Sequence, residues 1–280
     1  MNVLYDEPGP RGRRRNTVLT VVFAVALLGL AYLAFRKFDE KGQFAAALWE
    51  PFLRGDVWAN LILPGLWNTL SAAAVAALIA VPFGFVFGMA RLSEHAWIRI
   101  PAAAVVEFFR AIPLLIMIFF AQYGGSAVLG LTVTSFSAVV FGLVMYNGSV
   151  LAEIVRAGIT ALPRGQTEAA LAVGLRKSQA MRLILLPQAV TAMMPAIVSQ
   201  LVVLLKDTAL GFIVAFEDLL NAGARILPSN FRNLIPAVIV MAAIYIVINL
   251  AVSAVAHWLE RRTRRSAAKP VAAPDAVAAL

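Results

Sequence analysis

Apolar and polar positions fall in long blocks along this chain, without the period of an amphipathic surface helix or a half-buried strand. Six stretches are almost continuously apolar, at about 18–35, 65–90, 102–123, 135–159, 183–205 and 234–259. The shortest holds 18 residues, and at ~1.5 Å per residue that helix covers roughly 27 Å, just enough to cross a bilayer's hydrocarbon. The pattern predicts an all-α membrane protein with about six transmembrane helices. The first run competes with a cleavable signal peptide, but Tyr32 before Ala34 spoils the small-x-small cleavage pattern and Arg36-Lys37 closes the run like a membrane flank. Residues 17–35 are therefore expected to be a retained span behind a basic N-terminal segment, 1–16.

The polar residues inside and between these blocks carry the candidate chemistry. The segment 36–65 mixes balanced charges with Phe38, Phe44, Trp49, Phe52 and Trp58, which fits an extracytoplasmic connector at the membrane–water interface. Gly84 and Gly88, four apart, read as a helix-packing device. Glu107 and Arg110 in the third run are three apart, so a helical ion pair would neutralise both. Either that pair only steadies the bundle, or it lies at the mouth of a pathway. Asn147 and Ser149 sit in the middle of the fourth run, where polar groups need partners. They either bond between helices or line a substrate cavity, while Glu153 and Arg156 fall nearer the end of that run. Pro187 and Pro195 predict kinks in the fifth. It ends in Lys206-Asp207-Thr208. Lys206 and Asp207 either satisfy each other or offer one charge each to the carboxylate and ammonium of an amino acid.

Composition agrees with the block pattern and removes several function classes. The chain is 61% hydrophobic and 14% charged, with mean hydropathy +0.83, far from a soluble domain. Its net charge of +9 would suit nucleic acid, but the basic residues flank apolar runs and so orient a membrane protein. With the N-terminus inside, the inner segments hold sixteen Lys and Arg and the outer segments seven. The bias predicts both termini in the cytoplasm. The chain has no cysteine, and His95 and His257 are isolated, so no metal site and no catalytic constellation is expected. No Gly-x-x-x-x-Gly-Lys-Ser/Thr loop is present, so this chain does not supply ATP chemistry itself.

The longest inter-run segment that still looks ordered is 160–188, TALPRGQTEAALAVGLRKSQAMRLILLPQ, which reads as helix, turn, helix. Glu168, Ala169 and Ala170 form a small-residue patch, and Gly174 follows one turn beyond Ala170, on the same face of a continuous helix. Glu-Ala-Ala, three residues, Gly174 and then Leu186-Pro187 resembles the EAA loop of bacterial ABC-importer permeases. The pattern Glu107-x-x-Arg110-x-x-Pro113-Leu-Leu and the run Leu205-Lys206-Asp207-Thr208-Ala209-Leu210 resemble the polar amino-acid uptake subfamily of the glutamate and glutamine type. The similarity runs from about Asn68 to Trp258.

That resemblance implies a type I importer permease fold (MetI-like), with five core helices in 66–259 and one extra N-terminal span. It implies a cytoplasmic coupling loop at 160–182, with Glu168, Ala169, Ala170 and Gly174 against the ATPase. Asn147, Ser149, Lys206, Asp207 and Thr208 are the expected pathway residues. The implied partners are a cytoplasmic ABC ATPase dimer carrying ATP and Mg2+, a second permease chain (similar or identical), an extracytoplasmic amino-acid receptor and the lipid of the bacterial cell membrane. No nucleic acid and no cofactor of its own are implied. Residues 260–280 are expected to be a cytoplasmic basic tail, disordered from Ser266. Two rival readings remain at this stage: an ion-gradient-driven secondary transporter, and an importer of cationic amino acids.

Overall fold

The computed structural model describes residues 9–130 and 132–267. Among them the regular structure is helical throughout. Five helices are long and apolar enough to cross a membrane, and a bent pair makes up to six. The first, α1 (Pro10–Glu40), opens with Pro at its first turn, where a missing N–H costs nothing. None of its residues is buried. In a bilayer, lipid would cover such a surface.

After α1 the chain does not act as a plain connector. Helix α2 (Ala46–Trp49) runs into a 3-10 turn at Glu50–Leu53, and the next long helix, α3 (Gly55–Ala90), starts well before the expected residue 65. Trp58 Nε1 donates to the Phe52 carbonyl at 2.7 Å, and Asn233 Nδ2 donates to the Leu48 carbonyl at 3.3 Å. Val57, Ile62, Leu219, Leu227, Ala237 and Met241 form one apolar cluster with Phe52 and Trp58 packed on it. The aromatics that suggested an interface segment are therefore partly spent on a folded cap at this end of the bundle.

The third apolar run is not one straight span. It divides into α4 (Ala96–Ala111) and α5 (Leu114–Gly124), bent by 97°. The cause is local: a residue before proline avoids the helical region, and Ile112 is extended at φ −88, ψ 128 before Pro113. Beyond α5 the chain stays helical through Gly125–Leu129. Helix α6 (Ser135–Thr160) is capped by Thr134, whose side chain accepts from the Ser137 amide. Then come α7 (Arg164–Ala172), α8 (Lys177–Val214) and α9 (Leu234–Ala267). Ser266 and Ala267 still belong to α9; the rest of the tail expected to be disordered lies outside the described residues.

The core is built on the contact between α3 and α6. Ala72, Ala76 and Ala80 of α3 are fully buried. A Cβ on Gly84 would stand 2.5 Å from Leu151 Cβ, and one on Gly88 2.7 Å from the Ala152 carbonyl oxygen. Only glycine permits that approach, so the small-residue reading of this pair holds. Among the described residues the helices widen into four π-turns, and three of them, at Trp58–Ile62, Met181–Leu185 and Ala222–Ile226, are followed by Leu-Pro; the fourth, Phe120–Gly124, is not. Proline clashes with the carbonyl four residues back, and a wider turn relieves that clash. The kink expected at Pro187 takes this form.

Candidate functional site

Helix α7 lies beyond the end of α6, outside the candidate spans. Its bundle end, which holds the ends of α3 and α6 and the start of α8, is called here the α7 end. Glu168 and Ala169 are exposed, whereas Ala170 is 1% exposed. Ala170 therefore faces inward, and the expected flat Ala-Ala-Gly surface does not form. Gly174 is not on the helix at all. It sits at φ +84, its N–H donating to the Leu171 carbonyl at 3.0 Å while the Leu175 N–H donates to the Ala170 carbonyl at 3.1 Å. Those two bonds are a Schellman stop, which selects glycine because a Cβ is strained in left-handed backbone. Gln188 Nε2 donates to Gln166 Oε1 at 3.1 Å, tying α7 back to α8. Leu171 and Val173 stay 42% and 76% exposed.

A charge cluster sits just behind this segment. Glu107 and Arg110 do not pair with each other. Glu107 accepts from Arg91 at 3.3 Å, and Arg110 approaches Glu153 at 3.6 Å. Glu153 also takes Arg91 at 2.7 Å and Arg156 at 2.5 Å. The expected i,i+3 pair exists, but on α6 between Glu153 and Arg156 rather than on α4. Arg91, at the end of α3, is the buried member, with its side chain 9% exposed. Farther out, Lys177 pairs with Glu94 at the surface, and the adjacent ammonium holds the Glu94 carboxyl below its ordinary range. A cavity of about 770 Å³ lies between these parts, lined by Glu94, Arg164, Thr167 and Lys177 among others.

In the middle of the bundle, Asn147, Ser149 and Thr208 are fully buried. Asn147 Nδ2 donates to the Leu143 carbonyl at 3.1 Å, and its Oδ1 accepts from Gln200 Nε2 at 2.7 Å. Asp207 lies beside the same amide. Three of the expected pathway residues thus gather: Asn147 and Asp207 touch, and Thr208 follows, donating to the Leu205 carbonyl at 2.7 Å. Ser149 stands apart, its Oγ without a partner. Lys206 forms no ion pair with Asp207. It is exposed and lines a separate, mostly apolar cavity of about 600 Å³ with Tyr245 and Asn249. Gln200 was missed by the sequence reading, although it lies seven residues before Asp207 and so shares a helical face with it.

At the opposite end, the segment between α8 and α9 is pinned by neutral hydrogen bonds. The Leu219 N–H donates to Thr69 Oγ1 at 3.0 Å, and Asn68 Nδ2 donates to the Glu217 carbonyl at 2.8 Å. Asp218 is fully buried. One of its oxygens accepts from the Asn221 N–H at 2.8 Å, and the other faces the Tyr245 hydroxyl at 3.5 Å. No cation pairs with it among the described residues, and burial pushes its carboxyl up to about 6. The described residues hold no group of His, Asp and Glu suited to a metal ion. Across the membrane-crossing part, the arrangement can accept and orient polar groups.

Comparison with known proteins places this geometry. Residues 80–265 match the family model described as "Binding-protein-dependent transport system inner membrane component". The glutamate transport system permease protein GluD of Corynebacterium glutamicum is 44% identical over 230 residues, covering 81% of this chain and 84% of its own. The glutamate/aspartate import permease protein GltK of Escherichia coli O6:H1 is 34% identical over 74% of this chain and 97% of its own. Among solved structures, an amino acid ABC transporter crystallised with histidines superposes with TM-score 0.68 at 33% identity, over 73% of this chain and 95% of that one. The bundle, with α7 protruding between α6 and α8, is thus that of a membrane-embedded ABC importer permease, and the chain belongs to the binding-protein-dependent transport system inner membrane component family.

Proposed function

We propose that this chain is one of two permease subunits in an ATP-driven importer of polar amino acids, with glutamate or glutamine as cargo. The similarity to glutamate permeases supports the cargo. Lys206, in a cavity wall, offers a cation to a substrate carboxylate. A cytoplasmic ATPase dimer carries ATP and Mg2+, and an extracytoplasmic receptor delivers the amino acid. Both termini and α7 then lie in the cytoplasm, as the Lys/Arg bias requires.

The observation that carries the ATPase partner is the surface of α7. Ala169, Leu171 and Val173 are exposed apolar positions outside any span, and Glu168 beside them is exposed too. In a helix held on a rigid bundle, such a patch suits a partner's groove. Ala169→Arg places a long charge there without touching the core. The test is purification of wild type and Ala169→Arg from the native membrane in mild detergent. ATPase recovered with wild type and lost with the variant supports the proposal; equal recovery removes α7 from the interface. No ATPase with either chain overturns the importer reading.

A further inference from the structure

We infer that Glu153 is a positioning residue of the transport cycle, the joint through which movement of α7 reaches α3 and α4. The inference rests on the ATPase-coupled reading of α7 and adds the route by which that coupling enters the bundle.

The route follows from connectivity and charge. Helix α6 passes into α7 through Ala161–Pro163, so a force on α7 arrives first at the last turns of α6. Glu153 lies there and is, among the described residues, the one acidic group that meets three arginines from three parts of the bundle: Arg91 at the end of α3 at 2.7 Å, Arg110 of α4 at 3.6 Å and Arg156 of α6 at 2.5 Å. Arg91 spans two carboxylates, since it also reaches Glu107 of α4 at 3.3 Å. A planar guanidinium can do this because its donors point in fixed, separate directions. Helices α3, α4 and α6 are thereby clamped at the α7 end. Among the described residues, no ion pair joins α9 to that clamp, and the one ion pair from α8 to this end is the exposed Lys177–Glu94 pair; α8 otherwise meets it through the Gln188–Gln166 bond and through apolar packing of Ala189 and Met193 on Val155 and Ile159, contacts that can slide without separating charges.

The consequence is a division of labour. The clamped helices move with α7 as a body, while α8 and α9, which carry Gln200, Asp207, Lys206 and Tyr245, move relative to it. Gln200 and Asp207 meet Asn147 of α6, and Tyr245 meets Thr69 of α3, across the boundary between the two sets. Removing the Glu153 charge leaves three arginines with Glu107 alone, and their mutual repulsion opens the clamp. ATP turnover then no longer obliges α3 and α4 to follow α7.

The test uses the complete transporter reconstituted in vesicles, comparing wild type with Glu153→Gln, which keeps size and hydrogen-bonding capacity. Substrate moved per ATP is expected to fall by about tenfold, within the range of ordinary coupling free energies, while ATP hydrolysis and ATPase recovery persist. A purely structural role would lower recovery and leave the ratio unchanged. Spin labels at Ser93→Cys and Thr167→Cys, clean in a chain without cysteine, give a second readout. Their separation is expected to stay constant through the nucleotide cycle in wild type and to change in Glu153→Gln. Should that variant fail to fold, Arg91→Lys keeps the charge but cannot span both carboxylates, and is expected to lower the same ratio. An unchanged ratio, or a label distance that behaves alike in wild type and variant, overturns the inference. Absence of the ATPase from wild type would instead overturn the proposed function beneath it.

Discussion

The two ends of this bundle are held by different chemistry. At the α7 end, Glu107, Glu153, Arg91, Arg110 and Arg156 interlock as full charges. At the opposite end, Thr69, Asn68, Asn221 and Tyr245 hold the segment between α8 and α9 through neutral donors and acceptors, with one carboxyl, Asp218, buried and paired with no cation among the described residues. A network of charges steadies three helices over a range of small displacements, because Coulomb attraction falls off slowly with distance. Neutral hydrogen bonds demand short distances and good angles, so they break over a few tenths of an ångström. The difference is between contacts that tolerate small displacements and contacts that do not.

The largest effect should come from uncovering the charges of the first end. Arg91→Met takes from Glu153 its most buried partner and from the exposed Glu107 its ion pair, while Arg110 and Arg156 stay on Glu153, so the cost approaches but does not exceed the roughly 3 kcal/mol of a buried pair broken on one side. A melting temperature in detergent that fell no further than for a surface arginine, such as Arg99→Met, would show the cluster to be decoration.

At the other end the prediction concerns pH, and its sign is opposite to that of a salt-bridged acid. Asp218 is raised to about 6 in the folded chain. Its contribution is fully present below the unfolded value near 4 and is lost as pH rises through about 6. The segment between α8 and α9 should hold most tightly in acid and loosen by on the order of 2 kcal/mol at neutral pH. Asp218→Asn, a neutral mimic, should remove this dependence. Proteolysis or amide exchange of 215–233, measured from pH 5 to 8, checks it, with wild type normalised to the variant at each pH. A flat ratio would contradict it.

The smallest effect belongs to Lys177 and Glu94. Both are largely exposed, and pairs of that kind are screened by salt and add little. Glu94→Gln should leave the melting temperature unchanged at physiological salt. A clear loss there would mean that the α7 end depends on its surface tie as well as on the Glu153 cluster.

What the sequence made legible follows from which signals are local. Apolar runs, Pro187, Gly84 and Gly88, and the motif around Glu168 are each read within one or two turns, and they suffice for a helical importer permease, whereas the bend at Pro113 goes unread. The partners of Glu107 and Arg110 were misassigned because the i,i+3 rule concerns one helix, whereas Arg91 and Glu153 approach from two others. Gly174 was assigned to a helical face because its spacing matched; its positive φ is set by the carbonyls of Ala170 and Leu171, which only the folded turn reveals. The segment 36–65 was undervalued for a similar reason. Its aromatics belong to a cluster completed by residues near 219–241, far along the chain.

The widened turns before Pro64, Pro187 and Pro228 have a further consequence. Each acts as a one-residue insertion into an otherwise regular screw, so everything beyond it is rotated by about 100° relative to an unbroken thread. A single helix can then show one stripe to its neighbours before the turn and a different stripe after it. Deleting one residue inside such a turn should leave the helix intact while swinging one half around its own axis. Evolution can thus retune which neighbours a span greets at each depth without altering its length by more than a single residue.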